Sequence, residues 1–304
     1  MVWIKSRSAA TDHKLTDSVR GVTKALISDT TGAETTDAQG LTAFNSNGFT
    51  VGTDTNYNNL SATYVAWQWQ AGAGSSSSNT NGSITSTVSV GATQGFSVVT
   101  YTGNATANAT VGHGLGVIPS FFIVKPRSGT GGWWTYHASI SKDAYLDLSA
   151  TAASASSANY WGSTGPTSTT IQLNGGGGVN SNGTTYVAYC FSAVKGFSAF
   201  GSYTGNGSAD GPFVFTNFLP RFVMVKRTDT TGNWYIWDTS RNTHNVVGEE
   251  LYPNLSNAGS TATDLDILSN GFKMRSTAAD FNASGGTYIF AAFASNPFKN
   301  SLAR

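Results

Sequence analysis

Charge is scarce in this chain. Lys, Arg, Asp and Glu make up 11% of its 304 residues, against about 25% in an average soluble domain. The formal net charge is +1 and no run of Lys or Arg stands out, so there is no field to gather a nucleic acid or an anionic membrane surface. Cys190 is the single cysteine, which excludes an intrachain disulfide framework and leaves cohesion to packing and assembly. No stretch approaches about 18 apolar residues. The start, Met1-Val-Trp-Ile-Lys-Ser-Arg7, has no basic segment leading into an apolar one. Neither membrane insertion nor a conventional secretion leader is expected.

What the chain has instead is glycine, 35 copies, with Ser, Thr and Asn crowded between bulky residues. Aromatics reach 12%, enough with the many Val and Ile to pack sheets, so folding is expected in spite of the polar loops. The length suits two or three domains of about 100 residues. Alternating runs recur at roughly ten-residue spacing with Gly, Asn and Ser between them, as in a β-sandwich or jelly roll. The predicted fold class is all-β: tandem β-sandwich modules of jelly-roll type, two complete and one partial.

Comparison of the chain with itself supplies the modules. Gly95-Phe-Ser-Val-Val-Thr-Tyr-Thr-Gly-Asn104 returns as Gly196-Phe-Ser-Ala-Phe-Gly-Ser-Tyr-Thr-Gly-Asn206, a strand running into a Gly-Asn turn. Gly116-Val-Ile-Pro-Ser-Phe-Phe-Ile-Val-Lys-Pro-Arg127 matches Phe218-Leu-Pro-Arg-Phe-Val-Met-Val-Lys-Arg227, and Val2-Trp-Ile-Lys-Ser-Arg7 matches the second half of both. An aromatic strand follows, Trp133-Trp-Thr-Tyr-His137 and Trp234-Tyr-Ile-Trp-Asp238, with His13-Lys-Leu-Thr-Asp17 in the first copy. Every copy closes on one strand type: Thr63-Tyr-Val-Ala-Trp-Gln-Trp69, Thr185-Tyr-Val-Ala-Tyr-Cys-Phe191 and Thr287-Tyr-Ile-Phe-Ala-Ala-Phe293. The resulting boundaries are a partial first module over 1–70, a Gly/Ser-rich linker and connecting strand over 71–94, a second module over 95–194 and a third over 195–304.

Because Met1 coincides with the Val-x-Lys strand, the first copy has no counterpart of the opening strand or of its Tyr-Thr-Gly turn. A sandwich short of a strand leaves backbone donors and acceptors unpaired at an apolar edge, so a cover is expected. Ile84-Thr-Ser-Thr-Val-Ser-Val90 could supply it within the chain, or a neighbouring subunit could add a strand by β-augmentation. A strand from another copy would make a heterologous contact, able to propagate into rings or filaments.

Signals of chemistry are weak. Gly175-Gly-Gly-Gly178 lies in polar β sequence and reads as a turn, not a phosphate cradle. His13, His113, His137 and His244 stand singly, without metal-ligand spacing. Glycan hydrolysis normally needs two carboxylates about 5–10 Å apart across a groove. Asp264-Leu-Asp266 is the one close acidic pair with strand-like spacing, and in an extended strand both would share a face, where solvated surface is the ordinary reading. Asp17 with Arg20 and Asp238 with Arg241 recur at one module position, as a repeated turn brace would, and Lys5, Lys125 and Lys226 invite the same reading. Cys190 sits in an alternating strand as a small buried residue would. Trp133, Trp134, Trp234 and Trp237 are the candidate glycan or interface aromatics, since aromatic faces stack on sugar rings, although half of such residues in alternating strands belong to a core. No catalytic or metal-binding residue and no cofactor is predicted.

Together, His113-Gly-Leu-Gly-Val-Ile-Pro119, Phe122-Ile-Val-Lys-Pro-Arg127, Trp134-Thr-Tyr-His137 and Thr185-Tyr-Val-Ala-Tyr-Cys-Phe191 resemble modules of tail-fibre-like and other structural proteins of marine bacteriophages. Gly201-Ser-Tyr-Thr-Gly-Asn-Gly-Ser-Ala-Asp-Gly-Pro212 and Tyr252-Pro-Asn-Leu-Ser256 are similar to the same family. The resemblance spans nearly the whole chain and supplies no catalytic or binding residue. It implies a non-enzymatic structural protein of the virion surface, a tail-fibre or host-adhesion component that is homo-oligomeric. Its expected partners are other copies of itself, other virion proteins and a host surface glycan, with no nucleic acid among them. A capsid decoration protein or self-assembling filament subunit, a glycan-binding lectin module and a polysaccharide depolymerase are the alternatives.

Overall fold

Three strands in which an apolar run leads into a lysine organise the chain. In the computed structural model, which describes residues 1–176 and 178–295, they are Val2–Ser6, Phe121–Pro126 and Pro220–Arg227. Each acts as an anchor, pairing antiparallel on one side with the aromatic strand, Trp134–His137 or Trp234–Asp238, or with its non-aromatic counterpart in the first module, Lys14–Thr16. On its other side it pairs with a closing strand, Tyr64–Gln68, Thr185–Phe191 or Thr287–Ala294. Side chains alternate across such a strand. Trp3, Ile123 and Met224 therefore face one way, and Ile4, Val124 and Val225 the other. Val2–Ser6 and Phe121–Pro126 are buried at every residue.

One side of these sheets faces a shared core. Trp3, Trp67 and Trp69 of the first module, Ile123, Tyr189 and Phe191 of the second, and Phe222, Met224 and Ile289 of the third belong to a single apolar cluster. The opposite side packs on an outer sheet of each module's own. That sheet is the hairpin Leu41–Asn45 with Gly48–Val51 in the first module and the pair Ala109–Gly112 with Thr170–Leu173 in the second. In the third it is four strands in the order Phe213–Phe215, Gly271–Met274, Ser260–Leu268 and Val247–Glu250. The architecture is all-β and sandwich-like, as the composition and strand spacing predict.

The sandwiches are not strung out in a line. Glu34 N–H donates to Arg127 O (2.9 Å), Ser154 N–H to Thr228 O (2.9 Å) and Gly259 N–H to Arg7 O (2.8 Å). These bonds join the first module to the second, the second to the third and the third back to the first, so the contacts form a closed ring around the common core.

Opening strands Phe96–Thr102 and Ser198–Thr204 lie along the outer edges of the second and third closing strands. The stretch read as linker and connecting strand joins the second module's sheet: Ser86–Gly91 pairs with Phe96–Thr102, and Ser77–Asn79 pairs with Ser86–Gly91. The connecting strand therefore covers the second module's opening strand and not the first module's closing strand. Among the described residues, Tyr64–Gln68 is paired on one side only. Gly177 of the four-glycine turn and residues 296–304 of the third module lie outside the described residues.

Candidate functional site

The candidate tryptophans divide by where the sheets place them. Trp133 and Trp234 head equivalent aromatic segments and are almost wholly buried. Their indoles donate across module junctions, Trp133 Nε1 to Ile27 O (2.8 Å) and Trp234 Nε1 to Asp147 O (3.0 Å). Trp237 is buried as well and donates to Asp264 Oδ2 (2.9 Å). Trp134 differs: it is half-buried, its ring centre 4.6 Å from that of Tyr160 and 5.6 Å from that of Tyr145, and those two tyrosines stack at 3.8 Å. Of the four, Trp134 alone is not fully buried.

The recurrent charges also sit at junctions. Lys125 Nζ donates to Thr31 O, Gly32 O and Gly131 O, and Lys226 Nζ to Thr151 O and Arg227 O, whereas Lys5 Nζ serves the nearby Ser6 O and Ala9 O. Burial lowers each of these lysines to about 8. An ammonium with three donors satisfies loop carbonyls that would otherwise be sealed from water unpaired.

The predicted Asp–Arg braces form. Arg20 Nε lies 2.5 Å from Asp17 Oδ2 and Arg241 Nε 2.6 Å from Asp238 Oδ2, all four side chains buried. Both carboxylates reach the next module in the ring: Tyr189 OH donates to Asp17 Oδ2 (2.8 Å) and Trp67 Nε1 to Asp238 Oδ2 (3.1 Å). Burial pushes the Asp17 carboxyl up, but the charge and hydrogen bonds of Arg20 outweigh it and hold it below its ordinary range. His137 takes the equivalent place in the second module, its Nε2 3.1 Å from Phe290 O of the third, and burial lowers it to about 4. A neutral imidazole donating to that carbonyl completes the set.

Asp264 and Asp266 are not brought together. A register shift in the pairing of Val247–Glu250 with Ser260–Leu268 interrupts the alternation. Asp266 turns to Arg275 (2.7 Å), while Asp264 is buried beside Glu250. Burial, then the neighbouring Glu250, raises Asp264 to about 8. Tyr252 and Ser260 hydroxyls donate to Glu250, so this acid pair is tied into the sheet. The sequence offered no signal for it, because its members come from different strands. Among the described residues, no group of three or more His, Cys, Asp or Glu could hold a metal ion, and no helix is long and apolar enough to cross a membrane.

One opening lies in the first module. A groove of about 660 Å3 runs between the end of its closing strand and the turn of its outer hairpin, lined by Met1, Phe44, Asn47, Gln68, Trp69 and Gly74 among others, with no carboxylate. It adjoins the one closing strand that, among the described residues, has an unpaired edge.

No curated protein and no solved structure matches this chain. One family matches residues 1–297, nearly the full length. On that span the chain belongs to the family described as "Domain of unknown function (DUF7483)".

Proposed function

We propose that the chain is a non-enzymatic structural protein of a bacteriophage particle surface, a tail-fibre or host-adhesion component. The observation that carries this reading is where the polar chemistry goes. Lys125, Lys226, both Asp–Arg pairs, His137, Trp133 and Trp234 all bond across module junctions. Groups that in an enzyme would converge on a groove hold a ring closed instead, and the groove is lined by no acidic or basic side chain. A rigid, charge-poor β block suits the exterior of an assembled particle, and the likeness to marine phage modules supports that setting. Antibody to the whole chain should decorate the outside of particles purified from a lysate by density gradient. Signal confined to the soluble fraction would overturn the reading.

A lectin reading has one observation in its favour, the half-buried cluster of Trp134, Tyr145 and Tyr160. Binding on a glycan array that disappears with Trp134→Ala would support it. An array with no bound sugar would remove it.

A further inference from the structure

We propose that the first module is an acceptor for a strand–turn–strand segment of a partner polypeptide, one with the sequence pattern of residues 96–112 and 198–215. The other two modules display the complete arrangement. There the opening strand runs antiparallel to the closing strand with Tyr101 opposite Tyr186 and Tyr203 opposite Tyr288, the rings stacked at 5.1 and 5.0 Å. The chain then turns. Gly103 N–H donates to Thr184 O and Gly205 N–H to Gly286 O. The buried side chains of Asn180 and Asn282 accept from the amides of Asn104 and Asn206, 2.9 Å in each case. Beyond the turn, the segment adds a strand to the outer sheet, Ala109–Gly112 on Thr170–Leu173 and Phe213–Phe215 on Gly271–Met274.

Every receiving group has its counterpart in the first module. Tyr64 stands where Tyr186 and Tyr288 stand, and Asn58 where Asn180 and Asn282 do. Backbone bonds fix the direction of the free edge: Met1 and Trp69 bond to each other, and Arg7 N–H donates to Thr63 O. Partners alternate along an antiparallel strand, so Tyr64, Ala66 and Gln68 direct their N–H and C=O groups away from the anchor strand. Those same residues are the less covered ones. Tyr64 and Ala66 are half-buried and Gln68 is exposed, whereas Tyr186, Ala188, Cys190, Tyr288, Phe290 and Ala292 are all buried.

The outer sheet repeats the contrast. Phe49 and Val51 are half-buried, while their counterparts Ile171, Leu173, Phe272 and Met274 are fully buried. Leu60, next to the place where the turn would sit, is 91% exposed. One segment, crossing from the inner sheet to the outer, would cover all of these positions at once and remove both open edges.

The occupant's chemistry follows from the sister modules. It needs a tyrosine to stack on Tyr64 and a glycine at the turn. A Cβ on Gly103 would lie 2.4 Å from Ser181 O, and one on Gly205 2.3 Å from Ala283 O. The chain's own two segments are already paired and packed within their modules, so a second copy would have to unfold a module to lend one. The assigned donor is a partner polypeptide that carries such a segment free, and this holds whether or not the protein belongs to a particle.

Labelled peptides of residues 96–112 and 198–215, added to the whole chain, test the assignment by anisotropy and by amide exchange. Saturable one-to-one binding is expected, with slowed exchange at Tyr64, Ala66 and Gln68. A peptide with Gly103→Ala and a chain with Ala66→Pro should each bind at least about tenfold more weakly, the scale of one well-made hydrogen bond or a steric block. The amide that Ala66→Pro removes points away from the anchor strand, so the module keeps its own pairing. Asn58→Ala alters an exposed side chain and should weaken binding several-fold. Failure of both peptides to saturate, or indifference to Gly103→Ala, would overturn the proposal. Self-association of the chain alone that protects the same three amides would do so too, by making a second copy the occupant. The exchange measurement uses the unsubstituted chain and decides even where the proline variant fails to fold.

Discussion

Two closing strands of nearly the same sequence, Thr63-Tyr-Val-Ala-Trp and Thr185-Tyr-Val-Ala-Tyr, end in different surroundings. The second lies between two partners and is buried along its length from Tyr186; the first has one partner among the described residues and leaves every other residue half-buried or exposed. Strand sequence sets which side chains alternate, and the neighbours set what is buried. The first module makes up part of the difference on its inner face. Where the others have Tyr189 and Phe191 or Ala291 and Phe293, it places Trp67 and Trp69 in the shared core. Trp67 meets Trp3 and Phe222 edge to face, and Trp69 meets Phe191, Phe222 and Phe293 in the same way. The module with the smallest core of its own, Val2, Ile4, Leu41 and Tyr57, thus leans most on the ring.

The largest way to break this comparison is to cut the ring where the third module meets the first. Asp238→Ala leaves Arg241 buried without its carboxylate and Trp67 Nε1 without its acceptor. Removing one member of a buried pair costs about 3–5 kcal/mol. Because the first module depends on the shared core, its amides at Val65 and Trp67 should lose exchange protection before those at Val187 and Tyr189. Equal loss at both pairs would show that the first module stands independently.

A smaller effect is the difference between two equivalent phenylalanines. Phe272→Ala opens a cavity in a fully buried site and should cost about 3–5 kcal/mol. Phe49 holds the same place in the first module but is half-buried, so Phe49→Ala should cost about half of that or less. Denaturation midpoints measure both. Losses of equal size would mean that Phe49 is covered in solution.

Much of the fold was legible because alternation and Gly-Asn turns mark each strand locally. The anchor, aromatic and closing strands all form where their motifs occur. Ring closure was not legible. Trp3, Ile123 and Met224 face the shared core while Ile4, Val124 and Val225 face the module cores, and in a strand apolar on both faces nothing in sequence tells the two sides apart. The linker was misleading for a related reason: Ser77–Asn79 has a flexible composition, yet backbone pairing with Ser86–Gly91 suffices to order it. At the candidate site, recurrence identified the Asp–Arg braces correctly, since bond partners three residues apart are a local feature. Glu250 and Asp264 escaped notice because a register shift, invisible in the sequence, turns Asp264 inward.

Asp264 provides the finest contrast between modules. Its backbone is matched by Gly40 of the first module: Arg275 N–H donates to Asp264 O (2.6 Å) and Gly52 N–H to Gly40 O (2.8 Å). The third module adds a carboxyl at that point, raised to about 8 by burial and by Glu250, against about 3.9 in an unfolded chain. Across the interval from about pH 4 to 8 the folded state keeps a proton that the unfolded state has lost. The contribution to stability is therefore complete below pH 4, declines as pH rises through the interval and is gone above 8. Asp264→Asn retains an oxygen for Trp237 Nε1 and removes the titration. Its unfolding temperature should fall less steeply than that of the unsubstituted chain between pH 4 and 8, so that the variant gains on it as pH rises. Parallel profiles would mean that Asp264 is ionised in the fold, and that the third module differs from the first at this point by an ordinary hydrogen-bonded acid.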